Sequence, residues 1–250
     1  MALYSYKKVY FSPKKKTVEY VSYVSLTIGV LLLFWSFYPI LAFEIYARLF
    51  IQNNILSPIP KNQMASSIQN ATSVLGSSTV FSNNLRDFTN ASLWFPTKPQ
   101  ESVKRTVSIT DYRVSIPKIN IKDANVKVGG EDLSKNLIQY LADSQPGEFG
   151  NIVIFGHSTL PQLYNPKDYK TILTYLPSLE KGDKILATVG DTTYTYEVYD
   201  MFVVKPEQIS VLEQRKDGAY LTLITCVPPG TYWNRLVVRA KLTNLPVDQM

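Results

Sequence analysis

Between Glu19 and Glu44 no side chain carries a charge. A run of this kind, residues 20–43, restricts the chain more than any other feature. It is apolar on every face, so it cannot lie as a surface helix with one side in water. As a helix it spans roughly 36 Å at about 1.5 Å per residue, enough to cross a hydrocarbon layer of about 30 Å. Tyr20, Tyr23, Trp35 and Tyr38 lie toward its two ends, where amphipathic rings favour the interface. Pro39 near the exit is tolerated in such helices. A cleaved signal peptide is the alternative, but the run is longer than a signal core and no clear small-x-small cleavage site follows.

Charge sets the expected orientation. Residues 1–18 contain Lys7, Lys8, Lys14, Lys15 and Lys16 and no acid. Basic flanks stay cytoplasmic, so residues 1–19 read as a cytoplasmic tail and the rest as extracytoplasmic. The expectation is a single-pass cell-membrane protein, with the lipid bilayer as a partner of residues 20–43. The net charge of +6 is mostly this tail. From residue 107 onward there are 15 basic and 16 acidic residues, a balance of about −1. That balance gives no reason to expect a nucleic-acid partner.

Residues 44–106 read as a flexible extracytoplasmic spacer. From residue 52 they are rich in Ser, Asn, Thr, Gln and Pro, with sparse apolar residues and little periodicity. Such a segment buries too little to fold alone. Fifty-five residues of this kind give an end-to-end distance on the order of 40 Å. The patch Leu93-Trp94-Phe95-Pro96 hints at one piece that docks on the folded part.

Residues 107–250 form the expected folded domain. Strands are expected at Asp111–Ile116, Asn120–Val128, Asn151–Phe155, Lys184–Val189, Thr192–Val204, Tyr220–Thr225 and Asn234–Leu242, separated by turn residues. Leu133, Leu137, Ile138 and Leu141 have helical spacing, so a short helix is expected over 131–142, and a second over 168–179. Seven or eight strands in about 140 residues favour a closed or nearly closed β-barrel. Val114, Ile116, Val153 and Ile224 are expected in its core.

Cys226 is the only cysteine and His157 the only histidine. Each closes an apolar, strand-like run, a common place for a scaffold to present a reactive group. One cysteine excludes an intramolecular disulfide and any multi-cysteine metal site. No metal and no cofactor is expected. The acids Glu131, Asp132 and Glu148 read as scattered surface charges rather than a calcium site. A thiolate, an imidazole and a nearby arginine suit nucleophilic acyl chemistry.

The segment Thr222-Leu223-Ile224-Thr225-Cys226, then Pro228 and then Arg235 nine positions after the cysteine, resembles the signature of sortases. So do Pro146-Gly147 leading to Gly150-Asn151 and Gly156-His157, and the opening strand Ser115-Ile116-Pro117-Lys118-Ile119. The resemblance covers about residues 111–243. It implies an eight-stranded β-barrel and a cysteine transpeptidase. It also implies Cys226 as nucleophile, His157 as acid/base, Arg235 as electrostatic stabiliser and Thr225 as a substrate-binding or supporting residue. Arg235 is preferred to Arg239, which falls where longer-loop relatives carry the arginine. The implied partners are surface proteins with a C-terminal, Leu-Pro-x-Thr-Gly-like sorting signal and an amine acceptor on the cell wall or on a pilin. Two alternatives stay open: a cysteine hydrolase or transpeptidase acting on cell-wall peptides, and a non-catalytic surface-binding β-domain. Residues 52–106 carry no Asp-Pro-aromatic lid motif and no second apolar span follows, which weakens a pilin-polymerising role without excluding it.

Overall fold

The computed structural model describes residues 13–51, 89–91, 94–95, 109–140 and 143–244. Its first part is one long helix, α1, Pro13–Tyr46, followed by a π-helical turn at Ala47–Ile51. Within it, Lys16–Tyr46 is long and apolar enough to cross a membrane. Pro39 lies inside the helix without ending it. Most of the span's large apolar side chains are exposed, as they would be against lipid rather than protein.

The second part is a closed barrel of eight strands. They are β1 Asp111–Ile116, β2 Ile121–Val128, β3 Leu137–Tyr140, β4 Gly150–Phe155, β5 Lys184–Val189, β6 Thr192–Val204, β7 Ala219–Val227 and β8 Asn234–Asn244. Around the barrel the order is β1-β2-β3-β4-β7-β8-β6-β5. Two neighbouring pairs, β2–β3 and β4–β7, are parallel, and the rest are antiparallel. The strand expectations hold to within about two residues.

Both expected helices are corrected. At 131–142 the chain makes a bridge at Asp132, then turns, then strand β3. Leu137 enters one hydrophobic cluster and Ile138 the other, as alternate residues of a strand do. Pairing with β2 and β4 on its two sides outweighs the weak helical spacing. Leu141 lies outside the described residues. At 168–179 the chain forms turns and a single 3-10 turn, Leu176–Ser178. Pro177 there has no N–H to continue a helix. The hydroxyl of Thr171 bonds to the carbonyls of Asn165 and Asp168, holding local turns instead.

Two hydrophobic clusters result. The first draws side chains from all eight strands, including Val114, Ile116, Ile152, Ile154, Leu221, Leu223, Leu236 and Val238, and fills the barrel. The second contains Val153, Phe155, Ile224, Cys226 and Val237, the alternate residues of β4, β7 and β8, so it lies on their outer face. Val211 and Leu212, from the β6–β7 connection, complete it together with Trp94 and Phe95. β6 serves both clusters. Tyr196 and Val198 point inward, yet Phe202 and Val204 join the outer cluster. A register shift between Val198 and Asp200 reverses the alternation there. β4 and β7 are consequently buried on both faces along their whole length.

Candidate active site

Strand register and the hydrogen bonds just past the end of β4 gather three distant residues. β7 and β8 pair so that Cys226 faces Arg235 directly. β4 runs parallel to β7, with Phe155 opposite Ile224. The ladder ends there, and beyond it the Gly156 N–H to Ile224 O and the Ser158 hydroxyl to Cys226 O hold the segment of His157 against the end of β7. Neighbouring strands lie about 4.8 Å apart, so a row of this kind gathers its side chains at one place. Alternation sends the cysteine and arginine to the outer face, with Ile224 and Val237 beneath them.

The strand ends are tightly held. Gly156 sits where an added Cβ would lie 2.5 Å from a Leu137 side-chain carbon and 2.6 Å from one of Leu173. A larger residue before His157 therefore forces those leucines apart. The Gly156 N–H donates to Ile224 O at 3.2 Å, and the His157 carbonyl accepts from Leu173 N–H at 2.9 Å. Beyond Cys226, the N–H of Thr231 bonds back to Pro228 O at 2.9 Å and closes the β7–β8 loop. Gly230 in that loop has φ +83°, and a Cβ there would press on Leu160.

Thr225 points away from Cys226, into the barrel, and is wholly buried. Its hydroxyl donates to Gly156 O at 2.8 Å, so it braces the strand that delivers the histidine. Arg239 lies four residues along β8, opposite Thr222, with its guanidinium over the Phe202 ring. It is not in the row.

Arg235 is buried, with 3% of its surface exposed. Its Nη1 donates to the carbonyls of Tyr232 and Asn234 at 3.0 and 3.3 Å, and its Nη2 to Trp94 O at 3.2 Å. The Nε proton has no hydrogen-bond partner among the described residues, and neither has Nε2 of His157. Both atoms belong to side chains around the end of β7 that carries Cys226.

Trp94 covers this place. Its ring lies 5.6 Å from the His157 ring, 5.4 Å from Phe155 and 5.2 Å from the Arg235 guanidinium. Phe95 stacks on Phe155 as well. The segment is anchored by backbone bonds, Ala91 N–H to Glu131 O and Leu133 N–H to Thr89 O. The sequence marks this patch only as a piece that docks on the folded part. Its contact with both His157 and Arg235 comes from the fold.

Under this cover Cys226 and His157 are neutral. Burial pushes the Cys226 thiol above its usual range, and Arg235 pulls it back only in part. Burial, helped by Lys170, lowers His157 to about 4, against weaker opposing pulls from Asp132 and Asp168. The covered site thus holds a thiol and a neutral imidazole at pH 7.

Removing the cover should therefore change the thiol first. Trp94→Ala deletes a buried ring whose loss in a core costs ~3–5 kcal/mol. The segment then loosens, water enters, and Arg235 faces the sulfur instead of the Trp94 carbonyl. Iodoacetamide should modify Cys226 at least ~10-fold faster in this variant. The pH midpoint of that reaction should fall, because both hydration and a freed guanidinium favour the thiolate. Equal rates and midpoints in the two proteins would show that Trp94 does not control access.

The barrel is similar to known proteins. The family model described as Sortase domain matches residues 114–243. Sortase D of Bacillus subtilis (strain 168) is 28% identical over 116 residues, covering 46% of this chain and 53% of that protein. Sortase A of Bacillus anthracis is 31% identical over 134 residues, covering 52% of this chain and 58% of that protein. The chain spans about half the length of the curated relatives it matches. Among solved structures, Sortase A from Corynebacterium diphtheriae aligns with a TM-score of 0.48 and 29% identity, over 56% of this chain and 64% of that one. The family match runs from β1 into β8 and takes in every member of the row, and the chain belongs to the sortase family.

Proposed function

We propose that this chain is a membrane-anchored cysteine transpeptidase that cleaves a Leu-Pro-x-Thr-Gly-like sorting signal and transfers it to an amine at the cell surface. The observation that supports the reading is the pairing of Cys226 with Arg235 on β7 and β8, with His157 just beyond β4 in the segment bonded to the Cys226 backbone. Displacement of Trp94 by the substrate peptide opens that site. The Cys226 thiol gives its proton to the unpartnered Nε2 of His157, and the sulfur attacks the carbonyl of the scissile amide. Arg235 turns its donors on the resulting oxyanion. The imidazolium then protonates the leaving nitrogen, the C–N bond breaks, and a thioester to Cys226 remains. An incoming amine loses its proton to the same imidazole and attacks the thioester, which restores the thiol. Thr225, wholly buried, supports the site from beneath through Gly156. No step calls for a metal or a cofactor.

The apolar span within α1 supports the anchoring. A charge-free span with lysines before it holds the domain on the outer side of the membrane. The test uses the full 250-residue chain in detergent, with a Leu-Pro-x-Thr-Gly peptide library and an amine. Mass spectrometry should find peptide cut after threonine and joined to the amine, together with a trapped acyl adduct on Cys226. Absence of both products across the library would overturn the transpeptidase reading. Cleavage without amine adducts would instead make the chain a hydrolase.

A further inference from the structure

Two side-chain hydrogen bonds lace the end of β4 to the end of β7, and they are reciprocal. Thr225, just before the cysteine, donates its hydroxyl to the carbonyl of Gly156, just before the histidine. Ser158, just after the histidine, donates its hydroxyl to the carbonyl of Cys226 itself at 2.6 Å. The partners of the second bond are 68 residues apart in sequence. Beyond Phe155 the parallel ladder has ended. From there the spacing between His157 and Cys226 no longer rests on paired strands alone. Gly156 is still held by its N–H to Ile224 O. After it, Ser158 is the one residue whose hydrogen bond joins the histidine's segment to the cysteine's own backbone among the described residues. Its other side is fixed as well, since Thr159 N–H donates to Thr174 Oγ1 at 3.0 Å. Ser158 itself is only half-buried. A hydroxyl there adds about 0.5–1.5 kcal/mol by satisfying the Cys226 carbonyl, and its position ties that carbonyl to the residue after His157.

We infer that Ser158 is a positioning residue, whose hydroxyl holds the backbone of Cys226 at a fixed distance from the imidazole of His157. The inference rests on the reading of Cys226 and His157 as the reacting pair. Proton transfer from sulfur to imidazole depends steeply on their separation. A misplacement of about 1 Å can cost on the order of 10²-fold in rate. The Cys226 carbonyl already accepts from Ser158, so the bond is expected to act on rate rather than on peptide binding.

The test compares wild type, Ser158→Ala and Ser158→Thr as full chains. With peptide and amine, Ser158→Ala should lower kcat by about 10–100-fold and leave KM within about 2-fold. Ser158→Thr keeps the hydroxyl and should recover most of kcat. A second readout needs no substrate. At pH 7, where the imidazole must take the thiol proton, iodoacetamide should modify Cys226 about 10-fold more slowly in Ser158→Ala than in wild type. At a pH above the thiol's own range the two rates should converge, because hydroxide removes the proton. An unchanged kcat, a change confined to KM, no rescue by threonine, or equal alkylation at both pH values would overturn the inference. So would a Ser158→Ala protein with no folded range in thermal melting, since the bond would then be a folding element. If the wild type processes no peptide, the transpeptidase reading falls, and the alkylation pair alone decides on Ser158.

Discussion

Cys226→Ala is expected to stop peptide cleavage and amine transfer outright, by at least about 10³-fold, while leaving the barrel intact. The expectation divides into two physical parts. Structurally the change removes one buried atom from a cluster of Val153, Phe155, Ile224 and Val237. That costs about 1 kcal/mol of apolar burial. The β7–β8 pairing that faces Cys226 with Arg235 is made by backbone and persists. Chemically the change removes the only thiol in the chain. His157 and Arg235 remain, yet without a nucleophile they have no bond-forming step to assist. Peptide binding should survive, so a fluorescent sorting peptide should bind Cys226→Ala about as well as wild type. Thermal melting near the wild-type temperature with no turnover is the expected result. Residual transfer within about 10-fold of wild type would show that Cys226 is not the nucleophile.

Arg235→Met should cost about 10²–10³-fold in kcat, the usual loss for one donor to an oxyanion. Methionine keeps the stem and removes the charge. Two consequences have opposite readouts. The thiol loses the group that pulls its pKa down, so the pH midpoint of Cys226 alkylation should rise. The carbonyls of Tyr232, Asn234 and Trp94 lose a donor, which costs stability of about 1–3 kcal/mol for each that stays buried. Loosening of the Trp94 segment is expected, and thiol access should increase even as turnover falls. Arg235→Lys retains the charge without the planar fork and should lie between. Arg239→Met is the control. That guanidinium rests on Phe202, four residues from the row, and its loss should change kcat by less than about 3-fold. A larger loss from Arg239→Met than from Arg235→Met would exchange their roles.

The arginine choice was open to a reading of residues because a hairpin is a local object. Nine positions separate Cys226 from Arg235, and Val227 faces Asn234 across the loop that joins them. β1, β5 and β6 were equally legible, since turn residues bound them and alternation marks their faces. β3 was not. Its four residues carry no alternation strong enough to compete with the helical spacing around them. Only the flanking strands β2 and β4 make it a strand. The site shows the same division. That Cys226 and His157 both end strands was visible in the chain. That they lie side by side was not, because it needs the parallel pairing of β4 with β7. Trp94 was marked only by being apolar within a polar stretch, and Ser158 by nothing at all.

What the residues determine by themselves is local: an uncharged span of membrane length, short strands between turns, one thiol, one imidazole, and an arginine one hairpin away. Each depends on neighbours within about a dozen positions, where propensity and periodicity operate. What the tertiary structure decides is which of these meet. Closing the barrel brings residues 69 apart into one register, and a bulge in β6 turns Phe202 and Val204 outward. An outer apolar face is left at the row, and burial there drives Trp94 down onto His157 and Arg235. The neutral, covered state of the site follows from that burial, and burial is a property of the fold and not of any one residue.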